Sequence, residues 1–129
     1  MKKVVNAIIL DKEKFLVIKR SSGIHAAKWA FPGGLIESGE TSEQALKREI
    51  KEELSLDLKK IIKKISSYEY PRENKEKTTG ECFLISVSGK ITPNSEVQEY
   101  RWVTIEEFES LDHIPGLEEE AFSALFQNQ

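Results

Sequence analysis

Residues 33–56 read GGLIESGETSEQALKREIKEELSL, and the other segments of the chain take their meaning from this one. Its first half is loop-like, because Gly33, Gly34 and Gly39 permit backbone angles that a Cβ would forbid. Its second half has the marks of a helix. Thr41 is placed to cap it, Gln44 three residues on completes a capping box, and neither Gly nor Pro intervenes before Leu54. At about 100° per residue, Leu46, Ile50 and Leu54 form one apolar ridge, and Glu49, Glu52 and Glu53 share an arc of about 100° beside it. Ala45 falls in that arc and leaves room above it, whereas Lys47, Arg48 and Lys51 turn to the opposite side.

Ordinary surface acids would account for part of this pattern. Glu43 with Lys47, or Arg48 with Glu52, would make four-apart pairs of a few tenths of a kcal/mol each. They do not account for Glu49 and Glu53 one turn apart with Glu52 alongside, since like charges at that spacing repel by a similar amount. A cation would relieve the repulsion. Carboxylates gathered on a rigid element suit a hard divalent ion such as Mg²⁺.

The spacing resembles a known motif. Gly34, five residues, Glu40, seven residues, Arg48-Glu49-Ile50, one residue, Glu52-Glu53, one residue, Ser55 and Leu56 are similar to the Nudix box, with Ser55 standing where the pattern has Gly. A left-handed cap is the usual role of that glycine, and a Cβ there costs on the order of 1 kcal/mol. The helix end is therefore expected to be strained or rearranged, with the upstream acids undisturbed.

The resemblance implies an α+β Nudix fold, an α/β/α sandwich with a central mixed β-sheet, as a single domain over residues 1–129. It also implies hydrolysis of a nucleoside diphosphate linked to another group, with Mg²⁺ or Mn²⁺. Glu49, Glu52 and Glu53 then match the metal-binding acids, and the Gly33 carbonyl is a further ligand. Arg48 orients a neighbouring carboxylate. Glu96 is similar to the late acid that some relatives use for metal or base duty, with Glu99 or Glu81 as substitutes and a merely solvated turn acid as the plain alternative. Glu49 is the candidate general base, and Glu53 completes the catalytic set. A nucleoside triphosphate or an oxidised nucleotide is the leading substrate. ADP-ribose, a nucleotide sugar or a dinucleoside polyphosphate is the enzymatic rival, and a non-catalytic nucleotide sensor is the rival from another class.

Outside the box, 129 residues suffice for one real core. Charged residues at 32% and hydrophobic ones at 39% suit a soluble globular chain. A net charge of −3 argues against a strong non-specific grip on nucleic acid. Cys82 is the only cysteine, so no intrachain disulfide can form, and its apolar setting marks a reduced core residue. MKKVVNAIIL has basic residues before an apolar run but is too short and too strand-like for a signal peptide, and no stretch is long enough to cross a bilayer. A cytoplasmic protein with a nucleotide-type partner, as monomer or homodimer, is the expectation.

In chain order, residues 3–10 and 14–19 read as an antiparallel pair of strands joined by a tight turn. A loop follows, holding His25, read as a surface residue, and then WAFPGG. Arg20 or Lys19 is placed to meet a phosphate or to be solvated. Trp29 and Phe31 are either core aromatics or substrate-facing ones. A strand of uncertain start ends at Pro71, the charged RENKEKTT of 72–79 is a connection or lid, and a strand follows over Gly80 to Ile91. Tyr100 to Val103 forms a late strand. Thr104 and Glu107 frame a short helix over Ile105 to Leu111, and Leu117 to Phe126 is a terminal helix.

Overall fold

Near-continuous apolar runs in two strands must be covered on both faces, and this requirement sets the architecture. The computed structural model describes residues 2–22, 26–71, 77–114 and 117–127. Strand β1 (Lys2–Asp11) turns at Lys12, whose φ is 59°, into the antiparallel β2 (Lys14–Arg20), pairing Leu10 with Phe15 and Asp11 with Lys14. Val5, Ala7 and Ile9 of β1 and Leu16 and Ile18 of β2 face one core, while Ile8, Phe15 and Val17 face the other.

Five further pairings complete a mixed sheet. Strand β3 (Trp29–Ala30) lies against β2, and β4 (Gly33–Leu35) lies antiparallel to β1, with Asn6 opposite Gly33. Strand β6 (Lys77–Ser88) runs parallel to β1 from Lys2↔Thr78 to Ile9↔Ile85, and β5 (Asp57–Pro71) is antiparallel to β6. Strand β7 (Val97–Val103) pairs with β2. The order is β3-β2-β1-β6-β5, which leaves β5 on the outside. Three register shifts interrupt the β5 ladder, and Lys59, Lys60, Lys63 and Lys64 along it are exposed.

Helix α1 (Ser42–Leu54) covers one face of the sheet, burying Ala45, Leu46, Ile50 and Leu54 against Val5, Ala7, Ile9, Leu16 and Ile18. Both bonds of its capping box are made, Gln44 N–H to Thr41 Oγ1 at 3.1 Å and Thr41 N–H to Gln44 Oε1 at 2.9 Å. On the other face α2 (Ile105–Glu109), capped by Thr104 with Glu107, and α3 (Leu117–Gln127) close a second core around Phe15, Phe31, Leu84 and Phe108. Cys82 is a free, buried thiol there. The result is the helix, mixed sheet, helix layering that the sequence implied.

Several boundaries move. Residues 29–35, read as loop, contribute β3 and β4, because strands of two and three residues are too short to show alternation. Strand β6 begins at Lys77 rather than Gly80, since Thr78 and Thr79 pair with Lys2 and Lys3. It stops at Ser88 rather than Ile91, where Gly89 at φ 110° turns the chain away. The short helix ends at Glu109, two residues before Leu111. His25, residues 72–76, Pro115 and Gly116 lie outside the described residues, and with them the surface role of His25 and most of the connection or lid. No helix among the described residues is long and apolar enough to cross a membrane.

Candidate active site

The ridge that buries Leu46, Ile50 and Leu54 also carries Glu53 inward, and the residue is fully buried. A carboxylate in that position requires partners, since an uncompensated buried charge costs several kcal/mol. The partners come from β4 and the end of β2. Glu53 Oε1 accepts the Gly33 N–H at 2.9 Å, and Oε2 accepts from Arg20 Nη1 at 3.3 Å. Arg20 Nη2 in turn donates to the Gly33 carbonyl at 3.2 Å. Burial pushes the Glu53 carboxyl up to about 7, against the pull of Arg20 and of the Gly33 N–H, with a further push from nearby Glu49.

One turn back, the Glu49 carboxylate lies on Gly34. A Cβ at residue 34 would stand 2.5 Å from the Glu49 carboxyl carbon, so this glycine lets the carboxylate lie close against the backbone. Burial raises the Glu49 pKa, Arg48 opposes the shift, and the charges of Glu52 and Glu96 add to it. Glu96 therefore stands within electrostatic reach of Glu49. It is an exposed turn acid whose carbonyl accepts the Ser21 N–H at 3.0 Å.

Arg48 organises the outer side. Its Nε and Nη2 grip Glu40 at 2.8 and 2.9 Å, Nη2 also donates to the Leu35 carbonyl at 2.9 Å, and Nη1 donates to Glu49 Oε1 at 2.8 Å. A longer bond of 3.4 Å reaches Glu52, whose side chain is 55% exposed. Arg48 and the Glu37 N–H hold the Glu40 carboxyl down at about 2, and Glu40 in turn raises the guanidinium pKa. Glu40 is the member that the helix-wheel reading passed over. Its place in the motif was the available signal.

Glu49, Glu53 and Gly33 are thus brought together, with Glu52 at the rim and Glu96 nearby. Among the described residues, no three acid, His or Cys side chains form a ready cation cage. Glu81 is engaged elsewhere by Lys64 at 2.6 Å and by Ser42, and Glu99 pairs with Arg101 at 3.0 Å. Arg20 is not a solvated strand-end cation. It is committed to Glu53 and Gly33.

Of the two readings of the aromatics, burial supports the core one. Phe31 is 1% exposed, stacked on Phe108 at 6.0 Å and edge-on to Phe15 at 5.9 Å, so no ring face is left for a ligand. Trp29 is 4% exposed, with the Arg101 guanidinium 4.9 Å and the Lys19 ammonium 6.0 Å from its ring centre. Both are core residues, Trp29 lying beside Arg101 of β7 and Phe31, just after β3, packed on Phe108 of α2.

The donor set suits a hard divalent cation. Every candidate atom is a carboxylate or carbonyl oxygen, and the bare Cα of Gly34 leaves the space that the Glu49 carboxylate fills. A layered α+β fold with such acids on one helix defines a class, and the comparisons supply the family. The NUDIX domain model matches residues 1–124, and the chain belongs to the Nudix family as a Nudix hydrolase. It is 33% identical over 123 residues to nucleoside triphosphatase NudI of Enterobacter sp. (strain 638), covering 84% of this chain and 86% of that one. NudI of Salmonella arizonae is 32% identical over 123 residues, with the same coverage. Among solved structures, the E. coli ORF135 protein superposes with a TM-score of 0.83 at 28% identity, covering 100% of this chain and 93% of that one. A MutT Nudix hydrolase from Burkholderia pseudomallei gives 0.75 at 25% identity, covering 81% and 84%.

Proposed function

We propose that the protein hydrolyses a phosphoanhydride bond of a nucleoside triphosphate or its oxidised form, with Mg²⁺ as cofactor and Mn²⁺ as a substitute. The observation that carries this reading is the convergence of Glu49 and Glu53 on the Gly33–Gly34 backbone. The named activity of the NudI relatives favours a triphosphate over other diphosphate derivatives.

Glu53, Glu49 and the Gly33 carbonyl would hold the cation, with Glu52 and Glu96 completing its oxygen surroundings. When bound, the ion supplies charge neutralisation, a fixed grip on phosphate oxygens and an acidified water. The chain's residues supply the remainder. Arg48, clamped by Glu40 and the Leu35 carbonyl, fixes the orientation of Glu49. Burial raises the Glu49 pKa, which suits a carboxylate that takes a proton from the attacking water. Arg20, about a quarter exposed at its side chain, is positioned to turn to a phosphate oxygen.

A panel of nucleotides assayed with Mg²⁺, reading phosphate and pyrophosphate release separately, tests the proposal. Turnover of a triphosphate is expected. Silence on every compound, with the ligands still bound, would replace the enzyme with a sensor. Glu49→Gln should lower kcat by about 10²–10⁴-fold while the cation still binds. Near-normal turnover would remove Glu49 from the base role. Glu53→Gln should weaken metal-dependent hydrolysis sharply with the fold intact, and a variant that unfolds would make Glu53 structural.

A further inference from the structure

The two arginines at the acids are held very differently. Arg48 is anchored by bonds of 2.8 and 2.9 Å to Glu40, Glu49 and the Leu35 carbonyl, so displacing it would strip several strong contacts at once. Arg20 has longer contacts of 3.2 and 3.3 Å, and they fall on the Gly33 carbonyl and on Glu53 Oε2. Those atoms are donors assigned above to the divalent cation. The other Glu53 oxygen accepts the Gly33 N–H, so both carboxylate oxygens already carry a hydrogen bond.

From this overlap we infer that Arg20 is the resident counter-cation of Glu53, and that it must surrender Glu53 and Gly33 for a divalent ion to bind. The inference rests on reading the acids as a divalent-cation site. The physical cause is the burial of Glu53. A fully buried carboxylate needs a positive partner to stay ionised, and without a bound ion Arg20 provides it across 33 residues of chain. Exchange then costs the protein one ion pair while gaining another, which weakens the intrinsic affinity for the ion. It also releases a guanidinium beside the acids at the moment of loading. Arg20 is a positioning residue in this scheme, since it acts through Glu53.

The experiment compares wild type with Arg20→Gln and Arg20→Lys, using Mn²⁺ uptake by electron paramagnetic resonance without nucleotide, and Mg²⁺ titration followed by the NMR signals of the Arg20 side chain. Arg20→Gln should bind Mn²⁺ roughly tenfold more tightly, the order of one charge-assisted hydrogen bond removed from the competing state. Arg20→Lys should fall between the two. Melting in chelator should be lowered by Arg20→Gln, with the gap closing at saturating Mg²⁺. In wild type, the Arg20 guanidinium signals should shift as Mg²⁺ fills the site, a readout that holds even where a variant fails to fold. Equal or weaker Mn²⁺ binding by the folded glutamine variant, or Arg20 signals that ignore saturating Mg²⁺, would overturn the exchange alone. A wild type that takes up neither ion, with or without nucleotide, would overturn the metal-site reading itself and the exchange with it.

Discussion

Glu40 touches none of the candidate cation donors, yet it grips Arg48 with two bonds and so sets where Glu49 can point. Glu40→Gln keeps the shape and removes the charge. It should lower kcat by roughly ten- to a hundredfold, the scale of a sub-ångström misplacement, while circular dichroism stays unchanged. An unaltered kcat would show that the Leu35 carbonyl suffices to hold Arg48. At this scale the sequence was informative where spacing alone determines contact. Thr41 with Gln44, and Glu49 near Glu53, follow from helical repeat. The grip of Arg20 on Glu53 and the burial of Phe31 did not follow, because each depends on partners 33 and 77 residues away that only the assembled sheet brings close.

The end of α1 shows how one element absorbs a departure from its motif. Ser55 adopts the left-handed conformation, φ 61° and ψ 26°, its N–H closes on the Lys51 carbonyl at 3.0 Å and its hydroxyl donates to the Thr92 carbonyl at 3.1 Å. The helix therefore ends as it would with glycine, and the hydroxyl bond offsets part of the strain. Ser55→Gly should gain no more than about 0.5–1 kcal/mol, since relief of strain is opposed by loss of that bond. Ser55→Ala should fall below wild type and Ser55→Val lower still, because a β-branched side chain tolerates positive φ least. Thermal melting of the series checks the ranking, and a stable valine variant would contradict it. Long periodic elements such as α1, β1 and β2 were legible in the sequence. Strands β3 and β4 were not, as their pairing with β2 and β1 is a property of the sheet rather than of their own residues.

Across the whole molecule, the parallel contact of β1 with β6 joins segments more than seventy residues apart, and it lay beyond any local pattern. Glu81 stands in that region of β6. Lys64 foremost, and then Ser42, hold its carboxyl below the usual carboxylate range, so the unfolded chain takes up this proton before the folded one does. Its stabilisation is complete above the unfolded value of 4.5 and is lost as pH falls through the lower folded value. The melting gap between wild type and Glu81→Gln should therefore narrow on acidification from about pH 6 to about pH 3. A gap that widens would reverse the sign. The outer strand β5 bears on a different matter. Its free side would offer a template to any passing strand, but four lysines and three shifts of register break the regular row of partners that such joining needs. Replacing Lys59 and Lys60 with Thr should increase light scattering of concentrated solutions on mild heating, with activity retained. The make-up of the sheet's rim would then govern how concentrated a solution the protein tolerates.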